Sequence, residues 1–202
     1  MVSPSHVHAA EQVRAVASAF LRARPWIVAP AMVITLTAVS RVDGVTTDRL
    51  GLMSFGMGTM MALFVGEAIV CRRREVTERW LAVSLALTTI GIAAMCLLTG
   101  AIRSPTLVLL CAPVAIGFAA FGRSRTALAI AALALAWLSG LAWLPPDWPF
   151  PRLPAPAQRT VAWVATAVTL ALFLAGVGGL REGFAAAIQR ADRLRRDTIE
   201  GA

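Results

Sequence analysis

Apolar residues along this chain are grouped in long blocks separated by short polar segments. We predict six membrane-crossing helices, since each block approaches the roughly 20 residues that a helix needs to cross the hydrocarbon core. The short links make neighbouring helices antiparallel, so we expect an all-α membrane protein built as a six-transmembrane-helix bundle. The predicted spans, in chain order, are 25–40, 50–71, 80–98, 106–121, 126–144 and 161–180.

Two flanking segments are too polar to be further spans. In 8–24, apolar side chains such as Phe20 and Leu21 recur at helical spacing, which is typical of an N-terminal interfacial amphipathic helix. Because the first span is short, we expect it to borrow Phe20 and Leu21 from this segment, with Arg22 and Arg24 reaching to the lipid headgroups. The predicted domains are a cytoplasmic tail with this interfacial helix at 1–24, a transmembrane domain at 25–180 and a cytoplasmic signalling helix at 181–202.

The last helix continues from the sixth span with apolar residues at alternating steps of three and four. This spacing is the a/d pattern of a coiled coil, and it predicts that the helix pairs with its copy in a homodimer. An amphipathic helix that ends on headgroups is the alternative. The predicted dimer and coupling residues are Phe184, Ala187, Ala191 and Leu194.

Composition supports membrane insertion. Apolar residues make up 58% of the chain and charged ones 15%, against about 25% charged in an ordinary soluble domain. The 19 basic residues are all Arg and give a net charge of +8. Fourteen of them fall on one side of the six-span arrangement. The positive-inside rule then predicts that both termini are cytoplasmic. Because the arginines lie between apolar blocks and form no single patch, we expect them to contact lipid headgroups rather than nucleic acid.

Candidate chemistry is sparse. His6 and His8 lie in the polar tail, which excludes haem ligation between spans and an intramembrane Ser–His pair. Cys71, Cys96 and Cys111 form no metal or redox motif. We therefore predict no catalytic residue, no metal site and no cofactor.

Glu67 is the charged residue deepest inside a predicted span. Because a charge at membrane depth is costly, it indicates function by default. We predict either a carboxylate paired with the basic cluster 72–74 at the interface, or a ligand-binding or ion-sensing site inside the bundle.

The second span carries two stripes at helical spacing. The small residues Ser54, Gly58, Ala62 and Gly66 favour close helix packing, within the bundle in preference to a dimer. The second stripe predicts core packing rather than Cu(I) binding. It consists of Met53, Met57, Met60 and Met61.

The segment 145–159 is rich in proline, which excludes helix and stiffens the chain. Trp148 and Phe150 lie within it. We expect either a rigid cap at the outer interface or a lip over an apolar pocket for a lipid-like ligand.

The layout resembles a known architecture. Six short-looped spans, a Pro145-Pro146-Asp147 turn and a last span that continues into the charged ending 192–202 look like the membrane input module of bacterial sensor histidine kinases and class III adenylate cyclases. The resemblance covers nearly the whole chain but rests on topology, and the chain stops where an effector domain would begin.

The resemblance implies a membrane sensory module that passes a stimulus through the sixth span to a cytoplasmic effector, in cis or in trans. It implies a histidine kinase or a cyclase as the effector, and the bacterial inner membrane as the location. A small transporter or a structural subunit of a membrane complex is the alternative hypothesis.

Overall fold

The computed structural model of this chain describes the backbone of residues 4–74, 76–145 and 148–200. Side chains are described for 16–179 outside those gaps, and beyond them for Arg181, Ala185 and Gln189. In these ranges the fold is all-helical. The elements are α1 Pro4–Ser40, α2 Thr47–Arg73, α3 Glu78–Thr99, a 3-10 turn Ala101–Arg103, a 3-10 helix Pro105–Leu110, α4 Cys111–Phe121, α5 Arg125–Trp143 and α6 Ala155–Glu200.

Hydroxyl side chains define where three of the helices begin. Thr46, Thr77 and Ser124 stand at the N-caps of α2, α3 and α5. Each accepts a hydrogen bond from the backbone N–H three residues later, at 3.3–3.4 Å. These bonds satisfy donors that the first helical turn leaves free.

Five described helices are long and apolar enough to cross a membrane. Large apolar side chains cover their outer surface, among them Phe55 and Trp163 with more than three quarters of their area exposed. Such exposure fits contact with lipid and not with water. The protein is therefore an all-helical, multi-pass membrane protein. The five helices are Val16–Ser40, Thr47–Arg73, Glu78–Thr99, Arg125–Trp143 and Ala155–Gly179.

The predicted fourth span differs from the other five. The segment Pro105–Phe121 is apolar but shorter, and it consists of a 3-10 helix followed by α4. Pro113 lies in the first turn of α4, where its missing N–H costs no helical hydrogen bond. A single α-helix through the segment would lack the bond from position 113 to the carbonyl of Leu109.

The first candidate span is Val16–Ser40, and it includes Phe20 and Leu21, which the short predicted span was expected to borrow. No helix end lies near residue 24, because α1 runs unbroken from Pro4 to Ser40. Val16, Phe20 and Leu21 are buried in a core shared with α3, α4 and α6. The apolar face that we predicted to lie on the membrane surface is, from Val16 onward, packed against protein.

The helices alternate in direction, and contacts at their ends define two sides. On the side where α1 begins, Thr126 at the start of α5 lies 3.4 Å from Glu78 at the start of α3. At the opposite end, Leu141 of α5 packs with Cys96 of α3. We call these the amino-terminal side and the far side. α1 makes its most extensive packing with α6, and then with α2.

The small-residue stripe on α2 does not face the bundle. Ser54, Gly58, Ala62 and Gly66 are all exposed, and a Cβ added at Gly58 or Gly66 would meet nothing within 4 Å. The prediction of intramolecular packing is therefore wrong. The opposite face is buried instead through larger side chains, including Met53 and Met57, which belong to a buried apolar cluster.

Candidate functional site: a buried ion pair beside an intramembrane cavity

Arg24 of α1 and Glu67 of α2 form an ion pair inside the helix bundle. Their side chains are 1% and 5% exposed. Removing two charges from water costs several kcal/mol each, which only close pairing and further hydrogen bonds offset. The predicted pairing of Glu67 with the cluster 72–74 is wrong, because those three arginines are exposed and Glu67 reaches the first helix.

The third helix completes the coordination of Arg24. One terminal nitrogen, Nη1, donates to Thr88 Oγ1 at 2.8 Å, and the other, Nη2, donates to Ser84 Oγ at 3.2 Å as well as to the carboxylate. Cζ of the guanidinium lies over the ring of Phe64, 3.7 Å from its centroid. Within the described residues, the inner nitrogen Nε has no hydrogen-bond partner.

Helical spacing explains how the site is assembled. Ser84 and Thr88 are four residues apart and therefore share one face of α3. Phe64 and Glu67 are three apart on α2, and Phe20 and Arg24 are four apart on α1, so an aromatic ring lies one turn before each charge. The Phe20 centroid is 5.2 Å from the guanidinium.

Sequence analysis identified Glu67 but missed its partners. Arg24 stood beside an apolar block, and an arginine there was expected to reach the headgroups. The sequence feature that could have revealed the buried site is the pair Ser84 and Thr88, two polar residues on one face of an apolar span. Such a pair indicates a buried polar partner on a neighbouring helix.

A cavity of about 110 Å³ lies next to the ion pair. α1, α2, α3, α6 and the segment Pro105–Phe121 all contribute to its wall, which is overwhelmingly apolar. Arg24 is the only charged residue among the described residues that line it, and Glu67 is not among them. Four flexible methionines from three helices also face it, namely Met32, Met57, Met60 and Met95.

The far end of the bundle is closed by a second buried arginine. Arg49 is 1% exposed, and its Nε donates to the carbonyl oxygen of Leu98 in the last turn of α3 at 2.8 Å. The guanidinium lies 5.5 Å from the ring centroid of Phe150. A cation here is favourable, because the last carbonyls of a helix carry partial negative charge.

The proline-rich segment therefore attaches to the ends of α2 and α3. Trp148 is 53% exposed, and neither it nor Phe150 belongs to the cavity wall. Of the predicted ligand-binding residues, the structure brings Glu67 next to the cavity and leaves Trp148 and Phe150 at the far surface.

Hydroxyl groups form a cluster where α3 meets the 3-10 helix, and one of its members, Thr106, also lines the cavity. Thr99, Ser104 and Thr106 bond one another at 2.5–3.3 Å, and Cys96 Sγ lies 3.3 Å from Thr106 Oγ1. Their bonds are mutual, so the cluster joins the two elements. Within the ranges given above, no three His, Cys, Asp or Glu side chains are grouped as a metal site would need.

The predicted coupling residues Phe184, Ala187, Ala191 and Leu194 lie on α6, but their side chains are outside the described part of the structure.

Comparison with protein-family models, curated proteins and solved structures finds no match to this chain.

Proposed function

We propose that this protein is a membrane sensory or regulatory module that relays a change inside the bundle, through α6, to a cytoplasmic effector. The observation that carries the proposal is the continuity of α6. Val161, Ala165 and Leu172 of this helix line the cavity, and the same helix continues past the apolar span to Glu200. A displacement at the cavity wall is therefore a displacement of a long rigid rod.

The ion pair between Arg24 and Glu67 lies close to α6, so a change in the pair can act on that helix. Arg24 belongs to α1, the helix that packs most extensively on α6. Any change that loosens Arg24 from Glu67 removes the tie between α1, α2 and α3. Because packed interfaces shift between discrete arrangements and not continuously, a local change there is suited to moving α6 as a unit.

We further propose six crossings with both ends in the cytoplasm of a bacterial cell. A 3-10 helix rises about 2.0 Å per residue and an α-helix about 1.5 Å. On these values, Pro105–Phe121 extends about 28 Å, close to the roughly 30 Å of the hydrocarbon core. The contact of Thr126 with Glu78 supports the same count, because it returns the chain to the amino-terminal side before α5.

A distance measurement between spin labels tests the relay. The labels replace the exposed residues Arg72, at the end of α2, and Arg181, beyond the span of α6, after removal of the three native cysteines. Glu67→Gln should shift the distance distribution by about 1–2 Å, the size of known helix shifts in signalling interfaces.

Arg79→Gln is the matched control, because it removes an exposed charge on the same side. Ala165→Leu, which intrudes into the cavity wall from α6, should also shift the distribution. Superimposable distributions for the parent protein and both test variants would contradict the relay.

A further inference from the structure

We infer that the cavity binds a small, neutral, short-chain amphiphile, with its single oxygen acceptor at Nε of Arg24 and its hydrocarbon chain toward the far side. The inference deepens the proposed function by naming the class of stimulus. It is carried by the unpartnered Nε, the apolar wall and the length of the cavity.

The polar end of the cavity is built around an unsatisfied donor. Arg24 is 1% exposed and lines the cavity, its two terminal nitrogens are occupied, and Nε has no partner among the described residues. A buried N–H without an acceptor is costly. A bound oxygen remedies that cost, whereas an alkane leaves it in place.

The charge balance favours a neutral acceptor. The carboxylate of Glu67 already compensates the guanidinium, and Arg24 is the sole charge on the described wall. A ligand carboxylate would add a second anion close to Glu67, and like charges at low dielectric repel strongly. A ketone, an ester or an alcohol accepts the same hydrogen bond without that repulsion.

The rest of the cavity suits a chain. Arg24 and Thr35 both line it, and they are separated along α1 by about 16 Å at 1.5 Å per residue. The wall consists mainly of aliphatic side chains, two phenylalanines and the four methionines, and Thr88 and Thr106 also reach it. A volume of about 110 Å³ is narrow over that length. Because an apolar cavity of about 150 Å³ holds a molecule the size of benzene, the chain that fits has about six carbon atoms. Thioether side chains adapt to irregular apolar partners, which suits a flexible chain.

Photolabelling of the full chain in nanodiscs tests the inference. The probe is a diazirine analogue of 2-hexanone, and the competitors are 2-hexanone, hexane and hexanoate at equal mole fraction in the lipid. We expect labelling of cavity-lining residues such as Val168. The ketone should compete about tenfold better than hexane, as expected for one hydrogen bond to a charged donor, and better than hexanoate.

Matched variants separate the cavity from the surrounding lipid. Ala165→Leu fills the wall and should reduce labelling about tenfold, while Ala167→Leu, two residues along on the exposed face, should leave it unchanged. Arg24→Lys keeps a cation for Glu67 but lacks the guanidinium Nε, so it should abolish the preference for ketone over alkane.

Equal competition by ketone and alkane in the parent protein would overturn the inference. So would equal or better competition by hexanoate, or labelling that Ala165→Leu does not reduce. These results leave the relay intact if Glu67→Gln still moves α6. Conversely, ligand binding together with an unmoved α6 contradicts the relay alone.

Discussion

Arg24 on α1 and Glu67 on α2 lie 43 positions apart in the sequence and form an ion pair that is almost fully buried. Ser84 and Thr88 of α3 bind the same guanidinium, so one side chain connects three helices. In a bilayer, where helices gain little from the hydrophobic effect on association, such polar ties specify which helices are neighbours.

Removing either charge should destabilise the bundle more than removing both. Arg24→Gln and Glu67→Gln each leave an uncompensated buried charge, which typically costs about 3–5 kcal/mol. The double variant should lose clearly less than the sum of the two. Reversible unfolding in mixed micelles gives the free energies for this cycle. Arg22→Gln, at an exposed neighbouring position, is the control, and strictly additive losses would refute the coupling.

Gly176 of α6 is a position where one added methyl group should move the transmitting helix. A Cβ there would collide with Cδ1 of Ile116 on α4, whose side chain is 1% exposed. Gly176→Ala should lower the free energy of unfolding by about 1–3 kcal/mol, as overpacking does.

Ile116→Val removes the colliding atom and should rescue much of that loss in the double variant. Gly178→Ala is the matched control, because a Cβ at that position meets nothing within 4 Å. It should be neutral or stabilising, since alanine favours helix over glycine by up to about 1 kcal/mol. Unfolding of all four variants in mixed micelles measures these differences. Equal effects at positions 176 and 178 would show that α4 and α6 are not in close contact.

Arg49 should hold the proline-rich segment and the end of α3 together. Arg49→Met removes both the bond to the Leu98 carbonyl and the contact with the Phe150 ring. We expect faster tryptic cleavage after the exposed Arg152 and faster amide hydrogen exchange at the end of α3.

Phe150→Leu separates the two effects, because it removes the ring contact and leaves the bond to Leu98. It should accelerate cleavage after Arg152 without changing exchange in α3. Arg41→Met, at an exposed far-side position, should change neither. Unaltered cleavage in Arg49→Met would mean that this arginine does not secure the segment.

The crossing of Pro105–Phe121 can be tested by labelling. Single cysteines replace the exposed residues Arg103 and Arg123, at either end of the segment. A membrane-impermeant reagent added to sealed vesicles should reach them from opposite sides, and Arg72→Cys should behave like the cysteine at 123. If positions 103 and 123 react from the same side, the segment does not cross.

Hydropathy predicted most of the helices because it is a local property. The second and third predicted spans lie inside α2 and α3, and the fifth differs from α5 by about one residue at each end. N-cap residues such as Thr77 can also be recognised from sequence. The prediction failed for the segment before the first span, where packing decides the outcome. Phe20 and Leu21 appeared to form the apolar face of an interfacial helix, because the residues that bury them, on α3, α4 and α6, are distant in sequence.

The candidate site was predictable only in part. Glu67 was conspicuous because a carboxylate inside an apolar block is costly wherever its partner lies. Its partner was not, because the nearest arginines in sequence are exposed and Arg24 comes from another helix. The small-residue stripe containing Gly58 misled for the same reason: spacing shows that residues share a face, and not what that face contacts.

The amino-acid sequence alone determined that the chain forms transmembrane helices, because a backbone in hydrocarbon must satisfy its own hydrogen bonds and 20 apolar residues suffice. The tertiary structure alone decided that Arg24 meets Glu67, that four methionines line one cavity and that Phe150 lies on Arg49. Such pairings depend on how each helix is rotated and placed against its neighbours. Packing of whole helices sets that rotation, and no local pattern contains it.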